Sequence, residues 1–366
     1  MKTLKSLYRG EAPINFPNLW RWAFIASTFV LLVGIASFAV RGLNLGLDFE
    51  GGTSYEVQAP GESVAHIREV LSETGLSNSR IQLVDGEIIR IRSDVDNPQR
   101  ANEIREFLEN RVGSVESFEQ VGPTWGSDVT NKATKALIVF FAVVALYMTI
   151  RLEWKMALGA LVAVVHDIII SVGFYSLFQF EITPATVIAF LTIMGYSLYD
   201  TIVVYDKVRE ITGRLGATEK YSYTEMMNLA LNRVTMRSIN TSISSALPVL
   251  SLLIIGSFFL GASALQEFSV ALLIGILVGS YSSLFLASSF VAFFKEKESR
   301  WQQVSNRLNQ KGIQKGTVRS IGRHEAAMID TRAVERTEGV KGPARRRPTT
   351  THTSGNIPPR PRKKRR

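Results

Sequence analysis

Residues 184–205 read PATVIAFLTIMGYSLYDTIVVY, 22 positions with a single charge, Asp200. About 20 apolar residues of helix cross about 30 Å of hydrocarbon, so the stretch reads as a membrane span with an acid inside it. A charge at mid-bilayer costs about 2.5–3.5 kcal/mol on insertion scales and needs a partner or a function. Five further runs of this kind are expected at Trp22–Val40, Ala133–Ile150, Met156–Phe178, Ile239–Phe259 and Phe268–Phe294. Six spans exclude a soluble enzyme, a fibre and a disordered chain. The chain contains no cysteine. That removes disulfide scaffolds, thiol nucleophiles and thiolate metal sites. No metal-ligand spacing appears.

The links set an orientation. Lys2, Lys5, Arg9 and Arg21 precede the first span, Arg151 and Lys155 join the second to the third, and six Lys/Arg between Lys207 and Arg237 join the fourth to the fifth. The links 179–183 and 260–267 hold no Lys or Arg. Positive links stay cytoplasmic, which places both termini inside and residues 41–131 outside. Ser37-Phe38-Ala39 imitates a signal-peptide cleavage site, but the apolar run before it is too long and five spans follow, so an uncleaved first span is expected.

The net charge is +10, and residues 341–366 carry ten Lys/Arg and no acid, so this segment accounts for all of the excess. Residues 296–366 are expected to form a largely disordered cytoplasmic tail. Anionic lipid or a ribosome would attract its charge, and a merely solvated tail is an equal reading.

Residues 41–131 alternate strand and helix patterns. Ser54–Val57 has strand period, and Val64, Ile67, Val70 and Leu71 share a helix face. Arg80–Val84 and Glu87–Ile91 flank the turn pair Asp85-Gly86. Asn97-Pro98 opens a second helix lined by Ala101, Ile104, Phe107 and Leu108, and Ser114–Val121 is a last strand. The order β-α-β-β-α-β is the ferredoxin-like α+β arrangement. His66, the lone histidine there, reads as a solvated helix position.

Within the bundle 132–295 the polar positions stand out. His166-Asp167 lies inside the third span and Asp200 inside the fourth. Arg237, Thr241 and Ser244 fall on one face at the start of the fifth. An Asp200–Arg237 pair is geometrically available, either as a fixed ion pair or as a proton relay. Asp206 sits at the interface among basic residues and reads as structural. Gly275-x-x-x-Gly279 permits close helix packing.

Five motifs in sequence carry a family resemblance: Asp48-Phe49-Glu50-Gly51-Gly52, Val121-Gly122-Pro123, His166-Asp167, Gly195-Tyr196-Ser197-x-x-Asp200-Thr201 with Asp206-x-x-Arg209-Glu210, and Arg237-Ser238-Ile239-Asn240-Thr241-Ser242. Together they resemble the SecD/SecF export proteins over residues 45–295, with the order and spacing of the SecF branch. The resemblance implies one half of an RND-type, twelve-span unit in the bacterial inner (plasma) membrane. It implies SecD and the SecYEG translocon as partners, with YajC and YidC as further candidates, and a translocating polypeptide as cargo. It implies that Asp200 and Arg237 serve proton transport. Asp167 is expected to join them in the relay, Asn240 and Thr241 to support it, and Asp48, Phe49, Gly51 and Gly52 to form a junction able to bend. Tyr199 stands where many relatives have Asn. No Walker-type Gly-rich loop is present, so the proton gradient rather than ATP is the expected drive, without a cofactor. An RND exporter of small molecules or lipids is the alternative.

Overall fold

In the computed structural model, the described residues are 14–311 except 77–78, 85–86 and 260–262. The turn pair Asp85-Gly86 and the basic segment 341–366 lie outside them. The chain runs α1 (Phe16–Arg41), β1 (Asn44–Leu45), α2 (Leu47–Glu50), β2 (Gly52–Gln58), α3 (Val64–Ser72), β3 (Arg80–Val84), β4 (Ile88–Ser93), α4 (Pro98–Arg111), β5 (Val115–Val121), α5 (Pro123–Arg151), α6 (Trp154–Phe178), β6 (Glu181–Ile182), α7 (Pro184–Leu215), α8 (Tyr223–Leu253), α9 (Ser263–Tyr281), α10 (Ser288–Glu296) and α11 (Ser299–Gln310). π-helical turns follow α8 at Ile254–Phe259 and join α9 to α10 at Ser282–Ala287. Among the described residues, six helical segments are long and apolar enough to cross a membrane, from α1 and α5 through α6, α7 and α8 to α9 with its π turn and α10.

The expected spans are present, but four helices clearly overrun their expected ends. Residues 206–238, expected as a link, are mostly helix. α7 runs on to Leu215, and α8 starts at Tyr223 behind a capping box in which Ser222 and Glu225 satisfy each other's backbone N–H. α1 begins at Phe16 rather than Trp22, with the Asn15 side chain capping it. α5 begins at Pro123, ten residues before the expected Ala133, because Pro fits the first helical turn. Hydropathy marks only the membrane-thick part of a helix, whereas capping decides where it ends.

The supposed tail also needs correction. Residues 299–310 form α11, whose Trp301, Val304 and Leu308 are buried. The Trp301 ring meets Tyr223 edge-on at 5.3 Å. Glu298, just before α11, bonds Lys155 at 2.9 Å and Lys295 at 3.0 Å. Burial alone would raise its carboxyl, but these two lysines hold it below the usual range.

Strands β2–β5 form one antiparallel sheet in the order β3-β4-β2-β5, as the ferredoxin-like pattern predicts. One face carries Tyr55, Val57, Ile89 and Ile91 against Ile67 and Leu71 of α3 and Ile104 and Leu108 of α4. Each such side chain contributes about 1.5–3 kcal/mol on burial. The Tyr55 hydroxyl donates to the Ala101 carbonyl at 3.1 Å, and burial pushes its pKa up to about 12.

The domain rests on the bundle through a small parallel ladder, in which Asn44 faces Glu181 and Leu45 faces Ile182. Glu181 also meets Arg90 at 3.5 Å and Arg92. Burial and then the Arg90 charge bring Arg92 down to about 10. Gly51 and Gly52 close the short α2 with φ of 76° and 107°. A Cβ on Gly52 would stand 2.3 Å from the Ser93 carbonyl oxygen, so only glycine fits this turn.

In the bundle, α1 crosses α6 at Gly34 and Gly173, where a Cβ on Gly173 would lie 2.7 Å from the Gly34 Cα. The glycines of 275-x-x-x-279 seat α9 on α7: a Cβ on Gly275 would strike Ile193 and one on Gly279 would crowd Ser197. These contacts bring α1 against α6 and α9 against α7 at van der Waals range.

Candidate functional site

Asp167 and Asp200 both lie deep in the bundle. At 1.5 Å per residue, Asp167 is about 17 Å from the Phe178 end of α6 and Asp200 about 24 Å from the Pro184 end of α7. Their exposures are 2% and 8%.

Asp167 is enclosed on both oxygens. The His166 Nδ1 stands 3.0 Å from Oδ1, and the hydroxyls of Ser197 and Ser282 both donate to Oδ2 at 2.7 Å. The other ring nitrogen of His166 is hydrogen-bonded to the Ser27 hydroxyl on α1. Asp200 accepts at Oδ2 from Ser238 of α8 at 2.6 Å and from Ser283. Hydroxyl groups from three helical segments, α7, α8 and the π turn after α9, thus converge on the two carboxylates. Hydroxyls suit this role, because each can donate to an ionised carboxylate or accept from a protonated one.

The expected Asp200–Arg237 pair is not formed. Ser238 takes that place, and one residue earlier the helix has turned about 100°, so Arg237 lies on the exposed side of α8. Its guanidinium donates to the Tyr199 hydroxyl at 3.4 Å. Asn240 is exposed beside it, and Thr241 donates to the Arg237 carbonyl at 2.6 Å. Arg237, Asn240 and Thr241 therefore form the open face of α8, not its bundle face. The bundle face is Ser238, Ser242 and Ser245: Ser242 bonds Ser280 of α9, and Ser245 donates to Tyr196 at 3.0 Å. The i, i+4, i+7 spacing of these serines was visible in the sequence, one residue out of phase with the face chosen there.

Asp206 stands 3.9–4.0 Å from Arg209 and Arg151, as a structural interface residue should. Asp48, Phe49, Gly51 and Gly52 lie apart from the carboxylates. They form α2 and its closing turn, and Phe49 packs with Tyr175, Ile182 and Ala189 near the domain-bearing ends of α6 and α7.

Comparison with known proteins agrees with this architecture. The family described as "Protein export membrane protein SecD/SecF, C-terminal" matches residues 103–297, and the "SecD/SecF GG Motif" matches residues 36–59. The protein translocase subunit SecF of Streptomyces coelicolor is 37% identical over 84% of this chain and 84% of its own. That of Mycobacterium tuberculosis is 36% identical over 80% of this chain and 70% of its own. Among solved structures, SecDF from Thermus thermophilus, described as a translocon-associated membrane protein, superimposes with a TM-score of 0.71 at 32% identity over 79% of this chain. This chain spans 39% of that longer protein. Six spans, a ferredoxin-like domain between the first two, and these relatives give one conclusion: the chain belongs to the SecF family of protein translocase subunits.

Proposed function

We propose that the chain is the SecF half of a proton-driven export motor in the bacterial inner membrane, with both termini cytoplasmic and the α/β domain outside. SecD and the SecYEG translocon are its partners, and the motor draws polypeptide outward without ATP or a bound cofactor. The observation that carries this reading is the pair of buried carboxylates in a hydroxyl-lined seam. An apolar bundle needs no such groups to pack, and each must recover a desolvation cost through hydrogen bonds or through use. One proton moving across 100 mV releases about 2.3 kcal/mol, a usable step. Asp200 and Asp167 carry the proton in this scheme.

Arg237 supports the need for a partner. A guanidinium on the open face of a membrane-spanning helix suits a second chain or a water-filled crevice between chains, not lipid. Asn240 and Thr241 extend that polar stripe. The arginine then governs the relay from the partner's side, through Tyr199, rather than as a direct ion pair. A small-molecule exporter would need a deep apolar chamber in the outside domain. The cavity of about 310 Å³ at the base of the domain is lined instead by Glu50, Arg80, Arg92, Asp94 and Asp96 among others.

The test is proton flux in vesicles carrying the chain with its co-purified partner. The expected result is flux in the wild-type protein and none in Asp200→Asn at equal protein level. Wild-type flux in the mutant would sink the relay.

A further inference from the structure

The two carboxylates are on different helices, yet consecutive residues of a third hold them. Ser282 donates to Asp167 and Ser283 to Asp200, and both serines are fully buried. In a π-helical turn the hydrogen bond runs from i to i+5 and one extra residue is wound in, a feature found mostly at functional sites. Here it occupies Ser282–Ala287. Span four holds both ends of the turn, through Asp200 on Ser283 and through the Tyr205 hydroxyl, which donates to the Ala287 carbonyl at 3.1 Å.

Each serine also has a second acceptor. The Ser282 hydroxyl lies 3.2 Å from the Gly279 carbonyl, and the Ser283 hydroxyl 3.1 Å from that of Ser280. A hydroxyl has one hydrogen to give. An ionised carboxylate takes it. A protonated carboxyl donates its own hydrogen to the serine oxygen, and the serine hydrogen then turns back to the carbonyl three residues earlier.

We propose that the π turn of span six couples the two carboxylates, with Ser282 and Ser283 as positioning residues whose hydroxyls switch between carboxylate and helix carbonyl as each acid gains or loses its proton. With both acids ionised, the turn is pinned to spans three and four together. Protonation of one reverses the donor at its serine and swings that hydroxyl's hydrogen onto the helix carbonyl, while the other contact stays as it was. The remaining polar groups fit the same division: His166, backed by Ser27, faces Asp167, and Ser238 faces Asp200. Ser280, whose carbonyl is the second acceptor for Ser283, bonds Ser242 of span five through its own hydroxyl, so the change at Asp200 also reaches the helix that carries Arg237.

This inference rests on the relay reading, and the experiment separates the two. The full chain with its co-purified partners is placed in vesicles. Proton flux and the infrared bands of protonated carboxyls are measured, the bands being assigned with Asp167→Asn and Asp200→Asn. Ser283→Ala should shift the Asp200 band to higher frequency and spare that of Asp167, and Ser282→Ala should do the converse. Each should lower flux about tenfold or more, the worth of one hydrogen bond to a charged group. Ser→Thr at either site keeps the hydroxyl and should restore both readouts. Where an alanine variant fails to assemble, Ser→Cys tests the same bands at nearly the same volume. Unshifted bands and wild-type flux in Ser282→Ala/Ser283→Ala, with Asp200→Asn inactive, overturn the coupling and leave the relay standing. Wild-type flux in Asp200→Asn overturns the relay and this inference with it.

Discussion

The α/β domain and the helical bundle are built from one chain by opposite rules. In the domain, Tyr55, Val57, Ile89 and Ile91 are buried and the charges of α3 and α4 face outward. In the bundle, Asp167, Ser197, Ser282 and Ser283 are inside, while Ile138, Val139 and Leu146 of span two and Leu247 of span five lie open. The difference teaches what sets an interior. Against water, apolar groups gain by burial. Against lipid they gain almost nothing, and polar groups have the most to gain by meeting each other.

Replacing the polar centre with an apolar one should break the comparison most severely. Asp200→Leu is expected to reduce proton flux by about 100-fold or more, the scale of losing a proton-transfer group. The bundle should melt no earlier than the wild type, since the desolvation cost of the carboxylate is gone and Ser283 keeps the Ser280 carbonyl as an acceptor. A lower melting temperature in detergent would show that Asp200 is structural cement.

The domain core should respond in the opposite sense. Ile91→Ala deletes buried apolar volume and should cost about 2–5 kcal/mol. Hydrogen exchange should report opening of residues 52–121 while the spans stay protected.

Alkaline titration sharpens the same contrast by acting on one interior only. Tyr55 has its folded pKa raised from 10.0 to about 12. Its contribution is therefore complete below pH 10 and is lost as pH rises towards 12, up to about 3 kcal/mol. Tyr55→Phe should flatten that part of the domain's stability profile. An unchanged slope would mean that the ring is not held as described.

The smallest effect is expected at the far end of the bundle, where neither rule is strict. Glu298 is held below the ordinary carboxylate range by Lys155 and Lys295. Its support for α11 is present above its ordinary pKa and is lost as pH falls through the lowered value. Partial exposure limits the gain to about 1 kcal/mol or less. Trp301 fluorescence should show α11 loosening in Glu298→Gln at neutral pH, matching the wild type in acid.

The sequence was most readable where one period dominated. Twenty-residue apolar runs gave the spans, and strand and helix periods gave the order of β2 to β5 with the core positions Ile67, Leu71, Ile104 and Leu108. It was least readable where two helices meet. Arg237 and Ser238 are adjacent, and only the rotation of α8 against α7 decides which one faces Asp200. Charge favoured Arg237, but packing turned Ser238 inward. The pairing of Ser282 with Asp167 and Ser283 with Asp200 was equally hidden, because a π turn carries no composition of its own. Helix overruns such as residues 223–238 escaped because hydropathy falls where a helix leaves the membrane, although the Ser222–Glu225 box was legible.

The two-residue ladder between β1 and β6 carries a consequence for how the protein is made. Leu45 and Ile182 are 137 residues apart. At about 5–20 residues per second of synthesis, the ribosome adds the second strand about 7–27 seconds after the first. By then the sheet that ends at Val121 has been complete in the chain for several seconds, and Arg90 and Arg92 have no Glu181 to meet. Biogenesis therefore has an enforced order. The domain is complete, flanked by spans one and two, before it can be moored, and the mooring waits for the hairpin between spans three and four to emerge.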